Sequence, residues 1–478
     1  MLRWTIRGGV GLLVAVALCI GGLVAANWRD EALSPQAARL LAPVAAGSDA
    51  YYIFLGLDSP DDENALVAGR RIRAQIELRL RESPVNPEFD DLPRGKAPGC
   101  SVGPDCDWSK LSCPPRDADP RGGAGEDVDC VAFYLNGKAQ ARQYMAQQSL
   151  PRQRYQQFSQ VAAGFDEPPL RAASEPVLPY ASLARAAEMR LMDAVFAFDA
   201  NDPQTGAQIL MREIRVHRQL LANSALLLTK MAAVSLLRRD YGVLSDAIEH
   251  WPQLARRVDL ADAWRPLQES EYDFGKAIEW EQRWLVVSQY QEYQAWVSPE
   301  TSGLHRWALL LARRFMFLPN ATLNASVHLA GEQIQDFHGD ATTLDARRQA
   351  AAVRWQEEAR QSRQDLSSLS LIRNPLGKMG RRLDLELARP DLFAYAERTY
   401  DLDGYIRLVA LQAALRRDGV SLAQMADSAR QAGPELRNPY DGRPMQWDAT
   451  HSTLSFTGRQ AVPGGRNPSS KVFRVYLR

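Results

Sequence analysis

An unbroken apolar run from Gly8 to Ala26, preceded by Arg3 and Arg7 and followed by Trp28, Arg29, Asp30 and Glu31, limits this chain more than any other feature. At about 1.5 Å of rise per residue, a helix over this run reaches roughly the 30 Å of a bilayer's hydrocarbon core. The arginines before it predict a cytoplasmic N-terminus with everything downstream outside. The alternative is a cleaved secretory signal, with Val24-Ala25-Ala26 as the cleavage site ahead of Asn27. Signal cores are usually about 7 to 15 residues long, so the longer run favours a retained anchor. On either reading residues 27–478 leave the cytoplasm. Leu18 stands before Cys19 where a lipoprotein signal needs a small residue, and Cys19 is read as an apolar filler of the span.

With 478 residues, 46% hydrophobic and 24% charged, the chain can build a sizeable globular core of two or three domains. Lys plus Arg equals Asp plus Glu at 57 each, so no overall field draws nucleic acid. The basic residues are overwhelmingly arginine, as expected of a GC-rich bacterial genome. Four of the five cysteines, Cys100, Cys106, Cys113 and Cys130, fall in one Pro-, Gly- and Asp-rich stretch. In an oxidising compartment such a cluster predicts two disulfides stapling a loop, with the pairing open among three possibilities. The rival reading is a zinc site, but no close Cys-x2-Cys pair is present.

Helical periodicity dominates the rest. Asp58-Ser59-Pro60-Asp61-Asp62-Glu63 predicts a helix start, with Leu66, Ile72, Ile76 and Leu78 buried through about Arg81. Leu183, Ala187, Leu191, Ala194 and Phe198 mark one helix, Asn201-Asp202-Pro203 a break, and Ala207, Leu210, Met211, Ile214 and Leu221 its partner. Segments 223–239 and 243–250 read as two more. These hairpins loosely resemble tetratricopeptide-like helical pairs in architecture, without a fixed repeat length or the Trp/Gly/Tyr/Pro consensus. Trp280, Trp284, Tyr290, Tyr293 and Trp296 recur at helical spacing and are read as core, with a ligand groove or a membrane surface as alternatives. Asn320 or Thr322 and then Thr343 begin two further helices, Asn374-Pro375 breaks the pattern, and another helix runs from about Tyr405 to Arg417. Past Asn438 the pattern alternates, predicting three short antiparallel strands within 444–450, 452–457 and 472–478.

Motifs with chemistry are sparse. Gly99-Cys100-Ser101-Val102-Gly103 spells a nucleophile elbow, yet it sits between prolines with no strand–helix alternation around it. The six histidines, at 217, 250, 305, 328, 338 and 451, show no metalloprotease spacing. Asp117, Asp119, Glu126, Asp127 and Asp129 make the cysteine loop acidic but out of calcium-loop register. The charged cluster Arg398, Asp401 and Asp403 is read as a structural salt-bridge network at a helix start. No catalytic, metal-binding or cofactor-binding residue is assigned.

The expected fold is mainly α. It comprises a cytoplasmic tip (1–7), a transmembrane helix (8–26), membrane-proximal helices (27–82), a disulfide-stapled cysteine-rich loop (83–130), an α-helical body (131–435) and a small β appendage (436–478). The expected place is a bacterial inner membrane, single-pass, with the body periplasmic. The expected partners are the lipid bilayer through residues 8–26 and a protein of the envelope, without nucleic acid. The expected role is an interaction or scaffold module, with no enzymatic activity assigned. Two alternatives stand beside it: a hydrolase of envelope polymers using paired carboxylates, and an envelope sensor, for which seven residues before the span leave no output domain.

Overall fold

Short polar caps start the first helices. Ser34 accepts the Ala37 N–H at α1 (Pro35–Leu41), Ser48 the Tyr51 N–H at α2 (Asp49–Leu55), and Asn64 the Leu66 and Val67 N–H groups at α3 (Ala65–Glu82). The computed structural model describes residues 18, 20–42, 46–60, 63–83, 88–89, 108–114, 128–169, 175–295, 303, 315–367, 369–387, 392–461 and 470–477. Within them the chain is mainly helical, with a small antiparallel sheet and the disulfide Cys113–Cys130. The greater part of the expected span, residues 1–17 and 19, lies outside the described residues, as do Cys100, Cys106, Ser101 and the acids at 117, 119, 126 and 127. Residues 20–26 are helical. No helix among the described residues is long and apolar enough to cross a membrane.

Helix α3 begins later than the predicted start at Ser59. The Arg154 guanidinium gathers the carbonyl oxygens of Leu57, Ser59, Pro60 and Glu63 and so holds that stretch as a turn. The buried stripe of α3 is Ile72, Ile76 and Leu80, while Leu78 faces solvent at 53% exposure. A short helix, α4 (Trp108–Leu111), interrupts the expected structureless loop. Then come α5 (Cys130–Asn136), α6 (Lys138–Gln147) and α7 (Ser149–Val161). Helices α8 (Tyr180–Asp199) and α9 (Pro203–Asn223) form the predicted pair, turning at Asn201 with φ +59° and capped by Asp202.

The two segments expected over 223–250 are one helix, α10 (Leu227–His250). Gly242 costs a helix about 1 kcal/mol, but Tyr241, Val243, Leu244, Ala247 and Ile248 around it are buried, which outweighs a single glycine. Helix α10 packs on α8 and α9, then on α16 (below) rather than on a next serial hairpin, so the stacking is not a running repeat. The chain continues through α11 (Glu269–Tyr272), α12 (Gly275–Ala295), α13 (Pro319–Asp336), α14 (Leu344–Ser367), α15 (Pro375–Leu387), α16 (Phe393–Arg417) and α17 (Met425–Gln431). On α12 the buried apolar positions are Ala277 and Ile278, Trp280 and Trp284 are half-buried, and the side chains of Tyr290, Tyr293 and Trp296 lie outside the description. The sequence Asn374-Pro375 marks the start of α15, with Asn374 at φ +55°.

The sheet has order β1-β2-β3, formed by β1 (Gln446–Asp448), β2 (Thr453–Ala461) and β3 (Ser470–Tyr476), as the alternation predicts. Trp447 pairs with Leu454 and Phe456 with Phe473, their rings stacked 4.9 Å apart. The sheet lies on α16. A Cβ at Gly404 of α16 would stand 2.4 Å from Phe456, so only glycine admits this close approach.

Candidate functional site

The most chemically suggestive cluster lies in the core. Glu213 and His217 sit one turn apart on α9, Asp240 on α10 and Tyr155 on α7, all buried. His217 Nδ1 is 2.6 Å from Asp240 Oδ2 and its Nε2 is 3.1 Å from the Tyr155 hydroxyl, which donates to Glu213. Burial lifts the Glu213 carboxyl to about 7. Burial alone would lower His217, but the Asp240 and Glu213 carboxylates raise it overall. A carboxylate–imidazole–phenol chain can pass a proton, yet neither cavity described below includes any of its members. The cluster ties three helices together. Lys230, pushed down to about 8 by burial, is likewise enclosed, with its ammonium donating to Leu221 O and 5.3 Å from the Phe274 ring centroid.

Other buried acids brace the fold. Glu188 of α8 accepts from the Ser112 hydroxyl, the Cys113 N–H and the Tyr134 hydroxyl and pairs with Arg239, while Asp246 accepts the Cys130 N–H. The disulfide is thereby stitched to α8 and α10. Asp129 caps α5 and meets His250 at 2.7 Å. Asp401 does not open a helix; it lies inside α16 and accepts the Tyr440 hydroxyl and the Arg459 and Gln460 N–H groups. Asp403 accepts the Leu267 N–H and pairs with Arg407. Among the described residues no group of three or more His, Cys, Asp or Glu could hold a metal ion.

A different site appears where the N-terminal helical stretch meets the body. Asn27 is fully buried at its foot, donating to Leu23 O and Ile372 O and accepting the Asn374 N–H. The Asn374 side chain bonds the Leu318 N–H and the Thr322 hydroxyl. Asp30 accepts the Asn320 and Ala321 N–H groups, which caps α13 from far along the chain and explains why neither Asn320 nor Thr322 supplies its cap. Asn324 bonds the Ser34 N–H and Ala32 O, and the Arg373 guanidinium donates to Ala26 O. Together these contacts form a polar clamp.

Beside the clamp is a cavity of about 270 Å³ lined by Glu31, Thr322, Asp365, Arg373, Lys378 and Arg381, three cations to two acids. A second cavity, about 360 Å³, opens at the sheet and is lined by Tyr440, Arg443, Thr457 and Arg459 among others. No family model, curated protein or solved structure matches this chain.

Sequence periodicity left the interior cluster unread, although a signal was present. Glu213 and His217 fall on the stripe that also carries Leu210, Ile214 and Leu221, and polar residues on an apolar stripe mark a buried network. The clamp left no such signal, because its partners lie some 290 to 347 positions apart.

Proposed function

We propose that this chain is a single-pass bacterial inner-membrane protein whose helical body stands in the periplasm and serves as an interaction or scaffold module. The observation that carries the reading is the clamp. The apolar run of the sequence feeds, without a linker, into Asn27, Asp30 and Ser34, each hydrogen-bonded to the body. The contact that reaches back across the alternative cleavage site is that of the Arg373 guanidinium with Ala26 O, and it favours a retained element over a disposable leader. The disulfide Cys113–Cys130 supports an oxidising compartment for the body. The paired-carboxylate reading draws no support from the two cavities described among these residues. Asp441 is the one acid lining the larger, and the acids of the smaller face Arg373, Lys378 and Arg381.

The test is membrane flotation of the full chain, joined to alkaline phosphatase at the C-terminus in one strain and to a cytosol-dependent fluorescent reporter in another. The expected result is a floating, carbonate-resistant protein with active phosphatase and a dark fluorescent fusion. A protein that stays at the bottom of the gradient, or a bright fluorescent fusion, sinks the reading.

A further inference from the structure

At the foot of the N-terminal helical stretch the body carries an exposed surface of mixed apolar and cationic character. Trp28 is 57% exposed, Ile372 42% and Met379 56%, and Arg29 and Arg373 are exposed beside them. The clamp fixes where they stand: Ile372 O bonds Asn27, and Arg373 reaches Ala26 O at the last turn of the stretch. Lys378 lies in the first turn of α15 with its ammonium 2.6 Å from Ser370 O, while the exposed Met379 lies on the opposite side of α15 from the buried Gly377 and well round from Leu385. Of the nearby acids, Asp30 turns onto the start of α13, Glu31 meets Arg373 and Asn324, and in the adjoining cavity Glu31 and Asp365 face the three cations Arg373, Lys378 and Arg381. Above this surface the helical stretch has open space at Gly21 and Gly22, and Leu18 and Ile20 are exposed.

Tryptophan prefers the bilayer–water boundary, and basic side chains there reach the phosphates of anionic lipids while their apolar stems lie along the acyl boundary. A tryptophan and an isoleucine at the point where an apolar helix leaves the fold, with a methionine on the adjoining helix and cations interleaved in sequence, have the chemistry of a surface that lies on a membrane. Resting on the reading that the N-terminal run is an anchor, we propose that Trp28, Arg29, Ile372, Arg373, Lys378 and Met379 form a lipid-facing platform. The apolar three enter the interfacial layer, and the cations bind anionic phospholipid headgroups. The body is then held in one orientation on the bilayer instead of swinging on a tether, because no free residues separate the helical stretch from the clamp.

The test uses the full chain in vesicles containing photoactivatable phosphatidylcholine or phosphatidylglycerol, with crosslinked peptides mapped by mass spectrometry. Lipid adducts are expected on peptides holding Trp28 and residues 372–379, several-fold more with phosphatidylglycerol. The double variant Arg29→Glu, Lys378→Gln should lose that excess while still floating, and Met379→Ser should lower adducts from both lipids. A chain that floats but carries adducts only before Asn27 overturns the platform and leaves the anchor standing. Equal labelling by both lipids overturns the headgroup role of the cations. A chain that does not float at all overturns the anchor itself.

Discussion

Burying a carboxylate among N–H donors satisfies its hydrogen bonds and still raises the cost of its charge. Glu167 accepts from the Ala225 and Leu226 N–H groups and the Thr229 hydroxyl, and burial pushes it up to about 7 despite them. Its folded state therefore holds the proton more tightly than the unfolded chain does between about 4.5 and 7. The stability this contributes is present in acid and is lost as the pH rises through that window. Urea unfolding at several pH values should show wild type losing on the order of 3 kcal/mol relative to Glu167→Gln from the lower to the upper end; a constant difference refutes the assignment. At Gly458 the constraint is steric, since an added Cβ would lie 2.5 Å from the Asp401 carboxylate that accepts two N–H groups of the same strand. Gly458→Ala should destabilise by about 1–3 kcal/mol, whereas Gly164→Ala, with open space around it, should stay within about 0.5 kcal/mol. Thermal unfolding of the two variants checks both. Neither glycine is distinguishable from the other in the sequence, because the clash depends on a residue nearly sixty positions away.

Among the elements, those with a long, regular apolar stripe were legible and those fixed by distant partners were not. The faces of α8 and α9 follow from spacing alone, as do the three strands, because alternation carries through Leu454, Phe456, Phe473 and Val475. Helix starts at Asn64 and Pro319 were displaced from the local signals because Arg154 and Asp30 act from elsewhere in the chain. The cysteine stretch declared itself as a stapled loop, but the pairing of Cys113 with Cys130 depends on Glu188 and Asp246, which bind the backbone of those two residues. Joining residues 17 apart should contribute about 3 kcal/mol. The double variant Cys113→Ala, Cys130→Ala should lose about that much in urea, and adding a thiol reductant should lower wild type toward it without moving the variant. A variant as stable as wild type would show that the side-chain network alone holds the loop.

At the scale of the whole molecule, α10 is the axis on which α9 and α16 meet, and residues 27–30 close onto α13 and α15. Asn27→Leu would leave the Asn374 N–H and the Ile372 carbonyl without their side-chain partner, a loss of about 1–3 kcal/mol confined to the clamp. Hydrogen exchange should quicken across residues 27–41 and 318–324 and remain unchanged in α9 and α10; uniform quickening would mean that the clamp supports the entire core. This closure also sets an order of events during translation. Asp30 leaves the ribosome about 290 residues before the Asn320 and Ala321 amides that it caps. For most of the time the nascent polypeptide is being made, its leading section has no dock to close upon, and a message truncated before α13 would yield a product whose front end stays permanently unsealed.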